Sequence, residues 1–257
     1  MDEIKIKEKV RKYYAQIAKK QRSCCSISCR QNPVDREKGY EKLGYAEEEL
    51  KSLPEDVFSL GCGKVELVSI KEGGTVLDLG SGSGFDCFLA SKRVGEDGKI
   101  IGVDMAPEMI NRAREAARKG NYKNMDFILG DIEKLPVADN SVDVVISNCV
   151  INLSPNKKRV FDEAFRVIKS CGRLMISDIV LLSELPKVIR ESELAYVGCI
   201  SGAALKEEYL EMIKSSGFKD IEVVEEIQFS INSLVDELYV KEYEGSTVSI
   251  KIYGIKP

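Results

Sequence analysis

Histidine is absent from this sequence. That removes the usual general base and the commonest nitrogen ligand, so polar chemistry has to rest on carboxylates, amines, tyrosines or sulfur. A surplus of positive charge is missing too: 38 Lys and Arg stand against 42 Asp and Glu, for a net charge of -4. Nothing here suggests the broad basic surface that neutralises phosphates, so no nucleic-acid partner is expected. Long apolar runs are also lacking. The longest, around Val142 to Leu153, is interrupted by Asp143, Asn148 and Asn152 and is too short to span a bilayer, so no membrane association is expected. The first residues, Met1-Asp2-Glu3-Ile4-Lys5, are charged and do not resemble a signal peptide. A soluble, cytoplasmic protein is the expectation. What the 257 residues do contain is 44% hydrophobic side chains, enough for a substantial core, and eight cysteines. In a reducing compartment, so many cysteines point to metal binding, catalysis or redox work rather than a disulfide framework.

No repeat or low-complexity segment interrupts the chain. Residues 1–22 read as a charged amphipathic helix with Ile4, Val10, Tyr13, Tyr14 and Ile17 on it, followed by the cysteine-rich stretch Ser23-Cys24-Cys25-Ser26-Ile27-Ser28-Cys29-Arg30. Pro33 and Gly39 keep that region irregular. Glu47 to Leu50 read as a short helix, and Leu60-Gly61-Cys62-Gly63 as a turn. A regular rhythm then begins. Strands are expected at 75–79, 99–103, 126–129, 142–147 and 173–179, with helices at 85–94, 107 to about 118, and 157–169. Pro107 suits the first turn of its helix. The nearly continuous apolar character of 142–147 suits a strand buried on both faces. Alternation of this kind predicts βαβ units and a parallel sheet with helices on both faces. Helices at 187–196 and 205–215 and strands at 221–229 and 247–253 close the chain.

Val76-Leu77-Asp78-Leu79-Gly80-Ser81-Gly82-Ser83-Gly84 is a strand running into a glycine loop before a helix. Glycine permits positive φ and close approach of a ligand, and the helix N-terminus offers free N–H groups to an anion. Asp104 ends the next strand, twenty residues beyond Gly84, where an acidic side chain can accept from ribose hydroxyls. Asp131 closes strand three in Gly130-Asp131-Ile132-Glu133. The spacing is Gly-x-Gly-x-Gly, not the Gly-x-Gly-x-x-Gly of dinucleotide binders. With three acidic strand ends, the pattern resembles a Rossmann-like class I S-adenosylmethionine methyltransferase. That resemblance implies cofactor binding by Asp78, Gly80, Ser81, Gly82, Gly84, Asp104, Met105, Asp131, Ile132 and Asn148.

Such a fold does not name its acceptor, and the informative residues are cysteines. Cys62 lies before the first strand, Cys149 follows the fourth in Ser147-Asn148-Cys149-Val150, and Cys199 sits in Tyr196-Val197-Gly198-Cys199-Ile200. Ligands bind outside the carboxyl ends of such strands, so Cys149 should face the reacting group. Gly-Tyr-Ala-Glu-Glu-Glu-Leu (44–50), Leu-Gly-Cys-Gly (60–63), Asp-Leu-Gly-Ser-Gly-Ser-Gly-Phe-Asp-Cys-Phe-Leu-Ala (78–90), Gly-Val-Asp-Met (102–105) and Ser-Asn-Cys-Val-Ile-Asn-Leu-Ser-Pro (147–155) resemble the arsenite methyltransferase family from about residue 10 to the C-terminus. The resemblance implies trivalent arsenic held by Cys149 and Cys199, with Cys62 joining for arsenite. It also implies a disulfide relay through Cys62 and either Cys24 or Cys25. The implied reactants are S-adenosylmethionine, arsenite and methylarsenite, with a thiol such as thioredoxin or glutathione as reductant.

Soft trivalent arsenic suits thiolate ligands, and its lone pair needs no general base to attack a methyl group, which fits the missing histidine. Lys19, Lys20, Arg22 and Arg30 flank Cys24 and Cys25, and positive charge favours thiolates. Cys87, Cys29 and Cys171 read as small buried hydrophobes. Cys-Cys-x-x-x-Cys without histidine lacks the paired spacing of a zinc site. The chain departs from the family pattern at Lys64-Val65 and Ser170-Cys171-Gly172, and the extra C-terminal domain of some larger relatives is not expected. The organisation expected is an N-terminal helix and cysteine-rich segment over 1–63, a cofactor-binding core over 64–182, and an α+β extension over 183–257. Two other readings suit the same features: a small-molecule C- or O-methyltransferase with incidental cysteines, and a cysteine-based metalloid-binding or sensing protein.

Overall fold

A computed structural model describes residues 3–20, 40–41, 43–65, 67, 69–230, 243 and 245–257. Helix α1 (Glu3–Lys20) precedes a short helix α2 (Glu47–Lys51). The alternating region follows as β1 (Thr75–Leu79), α3 (Phe85–Val94), β2 (Lys99–Asp104), α4 (Pro107–Lys119), β3 (Met125–Leu129), β4 (Val142–Asn148), α5 (Lys157–Val167) and β5 (Ile168–Leu181). Three helices, α6 (Lys187–Arg190), α7 (Glu193–Val197) and α8 (Lys206–Ser215), lead to β6 (Lys219–Gln228) and β7 (Thr247–Ile255). The strands form one seven-stranded sheet in the order β3-β2-β1-β4-β5-β7-β6. β1 to β5 run parallel, and β7 is antiparallel to both β5 and β6.

The period-two alternation of each strand divides the core. Val76, Ile100, Val144 and Ile146 face one way and pack with Phe88 of α3 and Ala113 of α4. Leu77, Leu79, Val103 and Val145 face the other way, against Phe161 and Ala164 of α5 and Tyr209 and Ile213 of α8. Both faces are therefore covered, which explains why these strands read as near-continuous apolar runs. β1 has β2 on one side and β4 on the other, so the order reverses there. A crevice opens at the carboxyl ends of strands at such a point.

Several expectations need correction. The helix expected over 157–169 stops at Val167, and the strand expected over 173–179 begins at Ile168. Ile168 already pairs with Val142, and the register then shifts so that Val144 pairs with Arg173. Cys171, at φ +62, sits in that irregularity. It is exposed there, not the buried hydrophobe expected. The helix expected over 187–196 is two short helices, because the Ser192 side chain accepts from the Ala195 N–H and starts α7 afresh. Asp131 does not close strand three; β3 ends at Leu129, and Asp131 forms an isolated bridge with Lys134.

Candidate active site

The glycine loop begins where β1 ends. Gly80 has φ +65, and a Cβ there would lie 2.3 Å from Val150, so only hydrogen fits. Gly82 has φ +53 and faces open space. Its N–H donates to Asp104 Oδ2 at 3.0 Å, while Ala106 N–H donates to Oδ1 at 2.8 Å. Burial raises the Asp104 carboxyl above its ordinary range, and these N–H groups oppose the rise. Asp78, Gly80, Ser81, Gly82, Asp104, Met105, Asp131, Ile132 and Asn148 all line one cleft at the carboxyl ends of the strands. Gly84, the tenth candidate, lies outside the lining. At φ +91 it starts α3 against the ring of Phe127.

Asn148 ties the cleft together. Its amide nitrogen donates to Gly63 O at 2.8 Å, Asp86 Oδ2 at 3.0 Å and the Tyr45 hydroxyl at 3.3 Å. Burial lifts Asp86 to about 6, with Asn148 and Tyr45 holding it down. Asp78, beside it, is raised further by burial and by the charge of Asp86, and accepts from the Cys87 thiol at 3.2 Å. Cys87 is fully buried, as expected. Ser81 and Asn148 line the cleft, and Ser81 Oγ and Asn148 Oδ1 are buried without a hydrogen-bond partner. Orphaned acceptors of this kind call for a ligand.

Helix α1 contributes a wall that sequence reasoning missed. Lys7, Val10, Arg11 and Tyr14 line the cleft. The Lys7 ammonium reaches Asp131 at 2.7 Å and also pairs with Glu133, and the Tyr14 hydroxyl donates to Val197 O at 3.0 Å. The amphipathic stripe of Val10, Tyr14 and Ile17 signals that α1 packs on something, but its partners, among them Phe58, Cys62, Met109 and Cys149, lie far along the sequence.

Three candidate cysteines meet at one end of this cleft, and Cys149 lines it. Cys62 and Cys149 are joined by a disulfide with their Cα atoms 5.8 Å apart. The Cys199 thiol donates to the Cys149 carbonyl at 2.9 Å. Cys149 and Cys199 hold left-handed backbone, φ +55 and +65, a conformation costly for residues with a Cβ and concentrated at functional sites. The pairing of Cys62 with Cys24 or Cys25 falls outside the described residues, as do Cys24, Cys25 and Cys29 themselves. Asp178 of β5 was not singled out in the sequence. One of its carboxylate oxygens and the sulfurs of Cys62 and Cys149 all lie within 4.8 Å of one another. Tyr209 hydroxyl donates to Asp178 Oδ2 at 2.9 Å, and Asn152 Nδ2 to Oδ1 at 3.0 Å. Burial lifts Asp178 to about 6 and lowers the nearby Lys157 to about 8, each partly held back by the other's charge. The one available signal was a charge inside the apolar run Leu174–Leu181.

The fold and the cleft define a methyltransferase domain, and the methyltransferase-domain family matches residues 70–217. The arsenite methyltransferase of Halobacterium salinarum is 42% identical over 228 residues, covering 84% of this chain and 58% of the relative. The human arsenite methyltransferase is 36% identical over 228 residues, covering 83% of this chain and 58% of the relative. An arsenic(III) S-adenosylmethionine methyltransferase from Chlamydomonas reinhardtii, known from its crystal structure, is 33% identical. It superposes with a TM-score of 0.69 over 83% of this chain and 71% of that one. The chain belongs to the arsenite methyltransferase family. It spans about three fifths of the length of the curated relatives.

Proposed function

We propose that this chain transfers a methyl group from S-adenosylmethionine to trivalent arsenic held on cysteine thiolates, acting on arsenite and methylarsenite. The observation that carries the reading is the meeting of Cys62, Cys149 and Cys199 beside a cleft lined by Asp78, Gly80, Asp104 and Asn148. In that reading Asp104 accepts from ribose hydroxyls, Met105 and Ile132 pack against the adenine, and Ser81 Oγ and Asn148 Oδ1 gain partners. The fit rests on those two orphaned atoms and on the open space at Gly82. S-adenosylmethionine, when bound, supplies an electrophilic methyl group on a sulfonium.

The residues of the chain have three tasks. The strained backbone at Cys149 and Cys199 fixes two sulfurs, and near-attack positioning is worth several kcal/mol of barrier. Cys62 is the third sulfur for arsenite, which has three exchangeable positions. α1 supplies a wall of the cleft. The disulfide between Cys62 and Cys149 is an oxidised form of this site, so turnover needs a thiol reductant such as thioredoxin or glutathione. That requirement supports a reducing, cytoplasmic setting. Residues 64–182 serve as the cofactor-binding core in this reading, and 183–257 supply Cys199 and close the substrate end. Among the described residues, no helix is long and apolar enough to cross a membrane. The test is mass spectrometry of the products formed from arsenite, S-adenosylmethionine and excess thiol. Methylated arsenicals are expected, and cofactor turnover without arsenic in the products would overturn the reading.

A further inference from the structure

Asp178 has no part in the proposed chemistry, yet its position is expensive. It is wholly buried in the middle of an apolar strand, where an aliphatic side chain would stabilise the core better than a carboxylate. Its surroundings are those of a ligand held in place. The Tyr209 hydroxyl fixes one oxygen, and the Asn152 amide with the Ile179 N–H fixes the other. Hydrogen bonds of this kind orient carboxylates in metal sites. The sulfurs of Cys62 and Cys149 lie within 4.8 Å of one of the Asp178 oxygens. The Ser249 hydroxyl in turn contacts Cys62 Sγ at 3.7 Å.

We propose that Cys62, Cys149 and Asp178, once the Cys62–Cys149 bond is reduced, form a site for a thiophilic divalent cation of the zinc and cadmium kind, with a different donor set from the three sulfurs that would hold arsenic. Tetrahedral zinc, with sulfur at about 2.3 Å and oxygen at about 2.0–2.2 Å, sets its ligand atoms roughly 3.3–3.8 Å apart. The two sulfurs, bonded to each other here, would separate to that spacing on reduction, and the carboxylate oxygen, within 4.8 Å of both, would approach by at most about 1.5 Å. Two thiolates and a carboxylate in one buried place carry three negative charges. A divalent cation offsets two, and the Lys157 ammonium, which interacts with Asp178, offsets the third. Trivalent arsenic takes three sulfurs and has no use for the carboxylate. A zinc-type cation accepts mixed sulfur and oxygen donors, so Asp178 discriminates between the two.

The balance is simple. A dithiol reductant turns the disulfide into two thiols and is itself oxidised to a disulfide. Cation binding then releases the two thiol protons to solvent and uses the carboxylate as it stands. Such a cation would compete with arsenic for Cys62 and Cys149. The inference does not depend on the arsenic reading, because its readout is binding rather than turnover.

The experiment titrates cadmium into the reduced full chain carrying Cys24→Ser and Cys25→Ser, which removes the competing adjacent thiols. Thiolate-to-cadmium absorption and calorimetry are followed together. One equivalent should bind with a thiolate band, and Cys149→Ser should abolish it. Asp178→Asn should weaken binding by about tenfold or more, and Tyr209→Phe, which frees one carboxylate oxygen, should weaken it less. Cys199→Ser should leave the affinity within about twofold, since that sulfur is not a donor for this cation. Circular dichroism checks the fold of Asp178→Asn. Should that variant not fold, the contrast between Cys149→Ser and Cys199→Ser decides. Unchanged affinity in a folded Asp178→Asn variant, equal loss in the Cys149 and Cys199 variants, or no binding at all would each overturn the proposal.

Discussion

Replacing Asn148 by alanine tests how the cleft is held together. The side chain donates to the Asp86 carboxylate at 3.0 Å and to the Gly63 carbonyl at 2.8 Å, next to Cys62. A bond to a charged group contributes about 1.5–3 kcal/mol and a neutral one about 0.5–1.5, so a stability loss of about 2–4 kcal/mol is expected. For a chain of 257 residues this corresponds to a fall in Tm of roughly 4–16 °C. The loss should depend on pH. Asp86 titrates at about 6 in the folded protein, above the ordinary carboxylate range, and Asn148 is one of the groups holding it down. A folded-state pKa above the unfolded value means the folded protein binds its proton more tightly. Stability from this group therefore falls as pH rises from the ordinary range through the folded value. Without Asn148 the folded value rises further and the fall extends to higher pH. Chemical unfolding of both proteins at pH 5 and pH 8 is the assay, and the difference should be larger at pH 8. Carboxylates that do not interact with Asp86 cancel in that difference. A loss under about 0.5 kcal/mol, or an equal loss at both pH values, would refute this account of the hydrogen-bond node.

Asp104→Ala removes the acceptor for Gly82 and Ala106 N–H and should weaken S-adenosylmethionine binding about ten- to a hundredfold by calorimetry. Cys149→Ser and Cys199→Ser should each abolish arsenic methylation while cofactor binding persists, because a hydroxyl does not replace a thiolate on a soft centre. Cys171→Ser, at an exposed position, should keep full activity in the same product assay. Cys62→Ser, and Cys24→Ser with Cys25→Ser, should lose activity on arsenite but retain it on methylarsenite, which has two exchangeable positions rather than three. Parallel assays on both substrates in excess reductant check this, and equal loss on both would make Cys62 a structural requirement.

The alternating elements and the glycine loop were legible because their signals are local. The apolar run ending in Gly80 and the helix from Phe85 to Val94 need only neighbouring residues to define them. The boundary at Ile168 was not legible. Its strand character comes from pairing with Val142, twenty-six residues earlier, which overrides a helical pattern running through Lys169. The cysteines stood out singly by position and by resemblance, and nine of ten cofactor candidates do line one cleft. What joins them is long-range. Lys7 reaches Asp131 across 124 residues, and Cys62 meets Cys149 across 87. Asp178 shows the division most clearly. In the sequence it is one charge in an apolar strand, with nothing to say which face it takes or what it meets. The parallel pairing of β4 with β5 carries Cys149 next to Ser177, and the loop before β1 brings in Cys62. Local chemistry determined which residues were reactive, whereas sheet register and chain crossing decided which of them share a site, since such contacts depend on where distant segments pack.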